Sequence, residues 1–124
     1  MDKVFVDTAA WLALLNRDDA LHTHARQVMK ALRQQSVSLM TTELVLLEVA
    51  DALSAPTQRV RTVQFINGLR RMPILSIISA SQTLLMDSWT LYSSRLDKDW
   101  SLTDCSSSRT CANTSANVIG GFPC

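Results

Sequence analysis

The sequence predicts an α/β fold in which a central parallel sheet is flanked by helices on both faces. Two observations predict it. Three short apolar runs, each stopping at polar residues, carry the mark of buried strands. Between them lie helical patterns of ten or more residues, so the order reads strand–helix, strand–helix–helix, strand–helix, which argues for parallel pairing with helices over both faces.

The first run, Val4, Phe5 and Val6, stops at Asp7 and Thr8 and hands over to an apolar helix from Ala9 to Leu15. Asp7 is thereby placed at the carboxyl end of a buried strand, where open α/β sheets put their ligands. Asp19 to Gln35 carries Leu21, Ala25, Val28, Met29 and Leu32 three and four apart, an amphipathic helix that Asp18 or Asp19 would cap. Val37 to Met40 is the second strand, Thr41 and Thr42 are cap residues, and Leu44 to Leu53 is the helix they begin. A further helix runs from Arg59 to Leu69. Pro73 precedes the third strand, Ile74 to Ile78, and Ser81 to Leu96 reads as a long helix with Leu84, Leu85, Trp89, Leu91 and Tyr92.

A chain of 124 residues and 13.8 kDa suits one domain with one core. Its 47% hydrophobic and 19% charged residues are those of a folding globular chain rather than a disordered one. The net charge of +1 gives no global case for nucleic-acid binding. Any such case rests on a local cluster, Arg59, Arg61, Arg70 and Arg71, in a stretch without Asp or Glu that also fits a solvated helix face. Nothing at Met1 to Asp7 resembles a secretory signal and no run reaches about 18 apolar residues, so the reading is cytoplasmic, without a membrane span. Cys105, Cys111 and Cys124 are odd in number and lack a nearby His at zinc-like spacing, which makes free thiols the default expectation.

Three carboxylates stand out by placement. Asp7 ends the first strand, Glu48 lies on the helix after the second, and Asp104 follows Trp100, Ser101 and Leu102 near a helix start. A parallel sheet gathers these ends on one edge. Like charges a few Å apart repel, and a hard divalent cation, Mg²⁺ or Mn²⁺, is the natural remedy. Such an ion activates water and polarises a phosphoryl oxygen, the requirements of phosphodiester hydrolysis. Spacing alone equally allows each carboxylate to be a helix cap or an ion-pair partner. No Ser/His/Asp or Cys/His arrangement competes.

The stretches VFVDTAAWLALLN (Val4 to Asn16), DALHTHA (Asp19 to Ala25), TTELVLLEVADAL (Thr41 to Leu53) and DKDWSLTDC (Asp97 to Cys105) resemble successive blocks of the PIN-domain family, in particular the toxin ribonucleases of bacterial toxin–antitoxin pairs. The last block is the most specific. The resemblance implies a PIN-like αβα sandwich, Mg²⁺-dependent RNA cleavage, a homodimer and a cognate antitoxin protein that blocks the site. It implies that Asp7, Glu48 and Asp104 are the catalytic, metal-binding acids, with Thr8 the hydroxyl residue that follows the first of them. Glu43, five residues before Glu48, points elsewhere on a helix, and Asp97 and Asp99 read as loop or capping residues. The family block places His22 in helix packing, and Trp11, Trp89 and Trp100 are expected to be packing residues.

After Cys105 the sequence departs from the family. No Asp or Glu follows Asp104, so a fourth acidic group is missing, and Ser106 to Asn117 has neither a helical nor a strand period before a weak Val118 and Ile119. The expected division is therefore a PIN-like domain over residues 1–105 and an atypical tail over 106–124, disordered or the product of a shifted reading frame. The primary expectation is a metal-dependent endoribonuclease toxin. The alternative is a catalytically silent PIN-like module that binds an antitoxin or dimerises. A nuclease of structured DNA shares the fold but usually carries DNA-gripping elements for which this chain has no room.

Overall fold

Val4, Phe5 and Val6 are all buried and form, with Lys3, the first strand of a four-stranded sheet, β1 (Lys3–Val6). A computed structural model describes residues 3–114 and the backbone of 117–119. The elements that follow are α1 (Thr8–Leu15), α2 (His22–Gln34), β2 (Ser38–Thr42), α3 (Glu43–Ala52), α4 (Pro56–Leu69), β3 (Leu75–Ile78), α5 (Gln82–Ser94), α6 (Leu102–Thr114) and β4 (Asn117–Ile119). All strand pairings are parallel, in the order β3-β2-β1-β4, with Val4 opposite Leu39 on one side and Asn117 on the other. The predicted α/β class with a parallel sheet flanked by helices is what the chain adopts.

Strand order explains why β1 matters. The chain steps from β1 to β2 to β3 in one direction, then returns to the far side of β1 for β4. The reversal leaves a crevice beyond the carboxyl ends of β1 and β4, where adjacent connections part to opposite sides. Asp7 is the residue that follows β1. The end of β1 is held in turn by a buried relay: Trp11 Nε1 donates to Thr41 Oγ1 at 3.1 Å, and that hydroxyl donates to Val6 O at 3.0 Å.

The core lies between the sheet and α1, α3 and α4, with Trp11 packed edge-on to Phe65 and Val45, Leu46 and Val49 of α3 buried beside them. Local chemistry sets the boundaries. Thr42, the last residue of β2, caps α3 by accepting Val45 N–H at 3.1 Å, and Ser81 caps α5 through Leu84 N–H. Pro56 opens α4, three residues before the expected start, because its fixed φ suits a first helical position. The α2 helix begins at His22 rather than near Asp19. Asp19 Oδ1 accepts Leu21 N–H at 2.8 Å and its carbonyl accepts His22 N–H, so Asp19 closes a turn ahead of the helix instead of capping it. At its other end Val37 N–H reaches Leu32 O and Ser36 N–H reaches Arg33 O, with Ser36 at φ 55°, the left-handed closure that glycine usually makes.

The largest difference from expectation is α6. The boundary expected after Cys105 falls inside this helix, and Ser106 to Thr114, expected to be an irregular tail, is its body. Residues 117–119 pair with β1 as β4; positions 115–116 and 120–124 of the expected tail lie outside the described residues. Sequence periodicity missed α6 because its buried face is Cys105, Ser106, Ser107, Thr110 and Cys111 rather than aliphatic. The helix is held by its contacts with α5 and α3. Small side chains permit close approach, and Ser106 and Thr110 return their hydroxyls to the carbonyls of Thr103 and Ser106. Cys105 is a free, buried thiol, as expected. Cys124 lies outside the described residues.

Trp89 also departs from expectation. It is 59% exposed and stacks on Tyr92, 44% exposed, at 5.5 Å. Only Leu84 and Ser88 of α5 are buried, so its apolar residues outnumber those the core can cover.

Candidate active site

Asp7 is an acid in an apolar setting: only 4% exposed, directly after three buried strand residues. Its Oδ1 accepts Thr8 N–H at 2.8 Å, which makes it the N-cap of α1, and the helix terminus favours its negative charge. Ser107 of α6 donates its Oγ–H to the same oxygen at 3.3 Å. Burial is the largest influence and raises the Asp7 carboxyl above its usual range; the Thr8 N–H opposes it, Asp104 raises it again, Ser107 lowers it, and Glu48 adds a last upward push. Asp104 and Glu48 thus each lie within electrostatic reach of Asp7.

Asp104 occupies the third position of α6 and forms a reciprocal cap with Ser101. Asp104 Oδ2 accepts Ser101 N–H and Ser101 Oγ accepts Asp104 N–H, both at 3.0 Å. Asp7 and Asp104 are therefore both helix caps, and Asp104 also lies within electrostatic reach of Asp7. Glu48 is half-buried on α3, five residues beyond Glu43 and on a different face of the helix. Glu43 itself is gripped by Arg70, whose two guanidinium nitrogens donate to its two oxygens at 3.1 and 3.3 Å. Asp97 is taken by Arg95 in the same way, which holds its carboxyl below the usual range. Cys105, beside Asp104, is kept a thiol first by burial and then by that negative neighbour.

Two hydroxyls were not read as a pair in the sequence. Thr8 Oγ1 is buried without a hydrogen-bond partner, a costly condition that an additional oxygen-seeking ligand would relieve. Ser107, 1% exposed, faces Asp7. Oxygen donors of this kind suit a hard divalent ion. Among the described residues, no three Asp, Glu, His or Cys side chains stand close enough to cage an ion directly. Direct protein ligation by one or two carboxylates, with the others acting through waters, is the arrangement that fits such a site and is the usual habit of Mg²⁺.

Elsewhere, His22 bonds through Nδ1 to Ala13 O at 2.8 Å, tying α2 to α1. Between α1, α2 and α4 runs a groove of about 740 Å³. Its floor includes Trp11, Leu15, Met29, Phe65, Leu69 and Met72, its sides carry Arg17, Arg26, Lys30, Arg33 and Arg61, and no Asp or Glu lines it. Of the expected Arg cluster, Arg61 alone joins this groove and bonds to Leu15 O, while Arg59 bonds to Ser54 O and Arg70 to Glu43.

The sequence matches the PIN domain over residues 4–121. No curated protein matches it. Among solved structures it is similar to Mycobacterium tuberculosis VapC20, a sarcin-ricin loop cleaving toxin, with a TM-score of 0.84 at 22% identity over 96% of this chain and 92% of that one.

Proposed function

The chain belongs to the PIN-domain family, and from that premise we propose that it is a metal-dependent endoribonuclease, the toxin half of a bacterial toxin–antitoxin pair acting in the cytoplasm. The observation that carries this reading is the buried Asp7 at the carboxyl end of β1, coupled electrostatically to Asp104 and Glu48. Asp7, Glu48 and Asp104 would hold Mg²⁺ or Mn²⁺. When bound, the ion supplies a water of lowered pKa and neutralises charge on the scissile phosphate. The chain's own part is to orient: Thr8 N–H and Ser107 fix the Asp7 carboxylate, Ser101 fixes that of Asp104, and the buried wall of β1 excludes bulk water. RNA cleavage by the purified protein should need Mg²⁺ or Mn²⁺ and vanish with EDTA or in Asp7→Asn. Cleavage that survives both treatments rules the reading out.

The antitoxin fits the groove between α1, α2 and α4, whose apolar floor and cationic sides suit an acidic amphipathic segment. A second copy of the chain fits the exposed Leu85, Met86, Trp89 and Tyr92 of α5. Among the described residues no helix is long and apolar enough to cross a membrane.

A second reading is favoured by the absence of any acid after Asp104 and by the engagement of Asp104 in a cap. In that reading the chain is a silent PIN-like module that still binds an antitoxin or dimerises. Calorimetric titration with Mn²⁺ separates the two, since a silent module gives no metal-binding heat.

A further inference from the structure

Serine and threonine in the middle of a helix normally return their hydroxyls to a carbonyl one turn back. Three hydroxyl side chains are buried on α6, and two of them do this: Ser106 donates to Thr103 O at 2.7 Å and Thr110 to Ser106 O at 2.9 Å. Ser107 does not. Its hydroxyl crosses to β1's end and donates to Asp7 Oδ1. The bond joins residues 100 apart in sequence, from two elements that share no local geometry. Its target oxygen already accepts Thr8 N–H, so two donors from two elements converge on one oxygen of the carboxylate.

From this convergence we infer that Ser107 is a positioning residue of the acidic site, its hydroxyl holding Asp7 in the orientation in which that carboxylate meets a divalent cation. The inference rests on the metal-dependent reading above and deepens it. Partners of this kind, which touch the ligand rather than the ion, set both ligand geometry and affinity. Ser107 lies one helical turn after Asp104, so α6 delivers one acid and the orienting group of another from the same face.

The test is Mn²⁺ titration calorimetry on the full chain, with RNA turnover read in parallel. Ser107→Ala should weaken Mn²⁺ binding about 10- to 100-fold and lower kcat while leaving KM for RNA unchanged. Ser107→Thr, which keeps the hydroxyl, should restore binding. Ser106→Ala, which removes an equally buried hydroxyl turned away from Asp7, should titrate like the wild type. Should the alanine variant unfold, Ser107→Cys, nearly isosteric but a poor donor, takes its place with the same expected loss. Wild-type Mn²⁺ affinity in Ser107→Ala or its cysteine substitute, or an equal loss in Ser106→Ala, overturns the inference. In that case an Asp7→Asn variant that fails to bind Mn²⁺ leaves the metal reading standing. A wild-type protein without Mn²⁺ binding overturns the metal reading and this inference together.

Discussion

Two regions of this protein are equally buried and almost opposite in composition. Around β1, α1 and α3 the interior is Phe5, Trp11, Val45, Leu46 and Val49; along α6 it is Cys105, Ser106, Ser107, Thr110 and Cys111. The first region gains its stability from apolar area withdrawn from water. The second withdraws little such area and instead satisfies its hydroxyls internally while letting α5 and α3 approach closely. The contrast teaches that burial follows from position in the topology: α6 runs back towards β1 between its neighbours and is covered whatever its composition, whereas α5, in the same crossover, leaves Trp89 and Tyr92 exposed.

The largest effect should fall in the apolar region. Trp11→Ala removes the most voluminous fully buried side chain and leaves Thr41 Oγ1 without its donor, so urea unfolding should register a loss of about 3–5 kcal/mol. A loss below about 1 kcal/mol would erase the distinction between the two regions. Next comes overfilling of the tight one. Ser106→Leu inserts a branched side chain where the residue is fully buried, and about 1–3 kcal/mol should be lost in the same assay. A tolerated leucine would mean that α6 is loosely packed.

Smaller still, Ser101→Ala deletes half of the reciprocal cap that starts α6 and should cost about 1 kcal/mol, with faster amide exchange confined to the first turn of α6. The last change has the opposite sign and sits where the two regions meet. In metal-free protein Asp7 holds its proton to a higher pH than in the unfolded chain, so the folded state binds the extra proton. Stability therefore falls as pH rises from the ordinary carboxylate value through the raised one, and the deficit persists above it. In EDTA buffer Asp7→Asn should melt above the wild type at neutral pH, with the difference closing below about pH 4. With Mn²⁺ added, only the wild type should gain. A variant that melts below the wild type in EDTA would show that the charge at Asp7 is stabilised rather than strained.

The apolar region was legible in the sequence and the hydroxyl region was not, for one physical reason. Period-based reading detects the alternation of apolar and polar residues, which β1, β2 and α3 possess; α6 buries polar residues, so its periodicity is invisible although Ser101 and Asp104 stand at capping-box spacing. Trp89 was misjudged for the converse reason, since α5 carries apolar residues on more than the one face its neighbours cover. Strand ends and resemblance single out Asp7, Glu48 and Asp104, and in the structure Asp104 and Glu48 each lie within electrostatic reach of Asp7. Thr8 Oγ1 and Ser107 acquire meaning only from the third dimension: one is a buried hydroxyl without a partner, the other a middle serine in a run of three that happens to face Asp7.

The pairing of β4 with β1 sets Val4 opposite Asn117 and Val6 opposite Ile119. A contact of that sequence separation closes late, because loop closure must be paid before it is rewarded, and it closes later still on a chain synthesised from its amino end. A nascent polypeptide carries Asp7 and Glu48 long before it carries Asp104, Ser107 or the strand that locks them beside β1. Translation thus orders assembly. Asp104 and Ser107 cannot join Asp7 while the ribosome is still extending the chain through α6, so the groups that meet at the end of β1 come together only after that helix has been made.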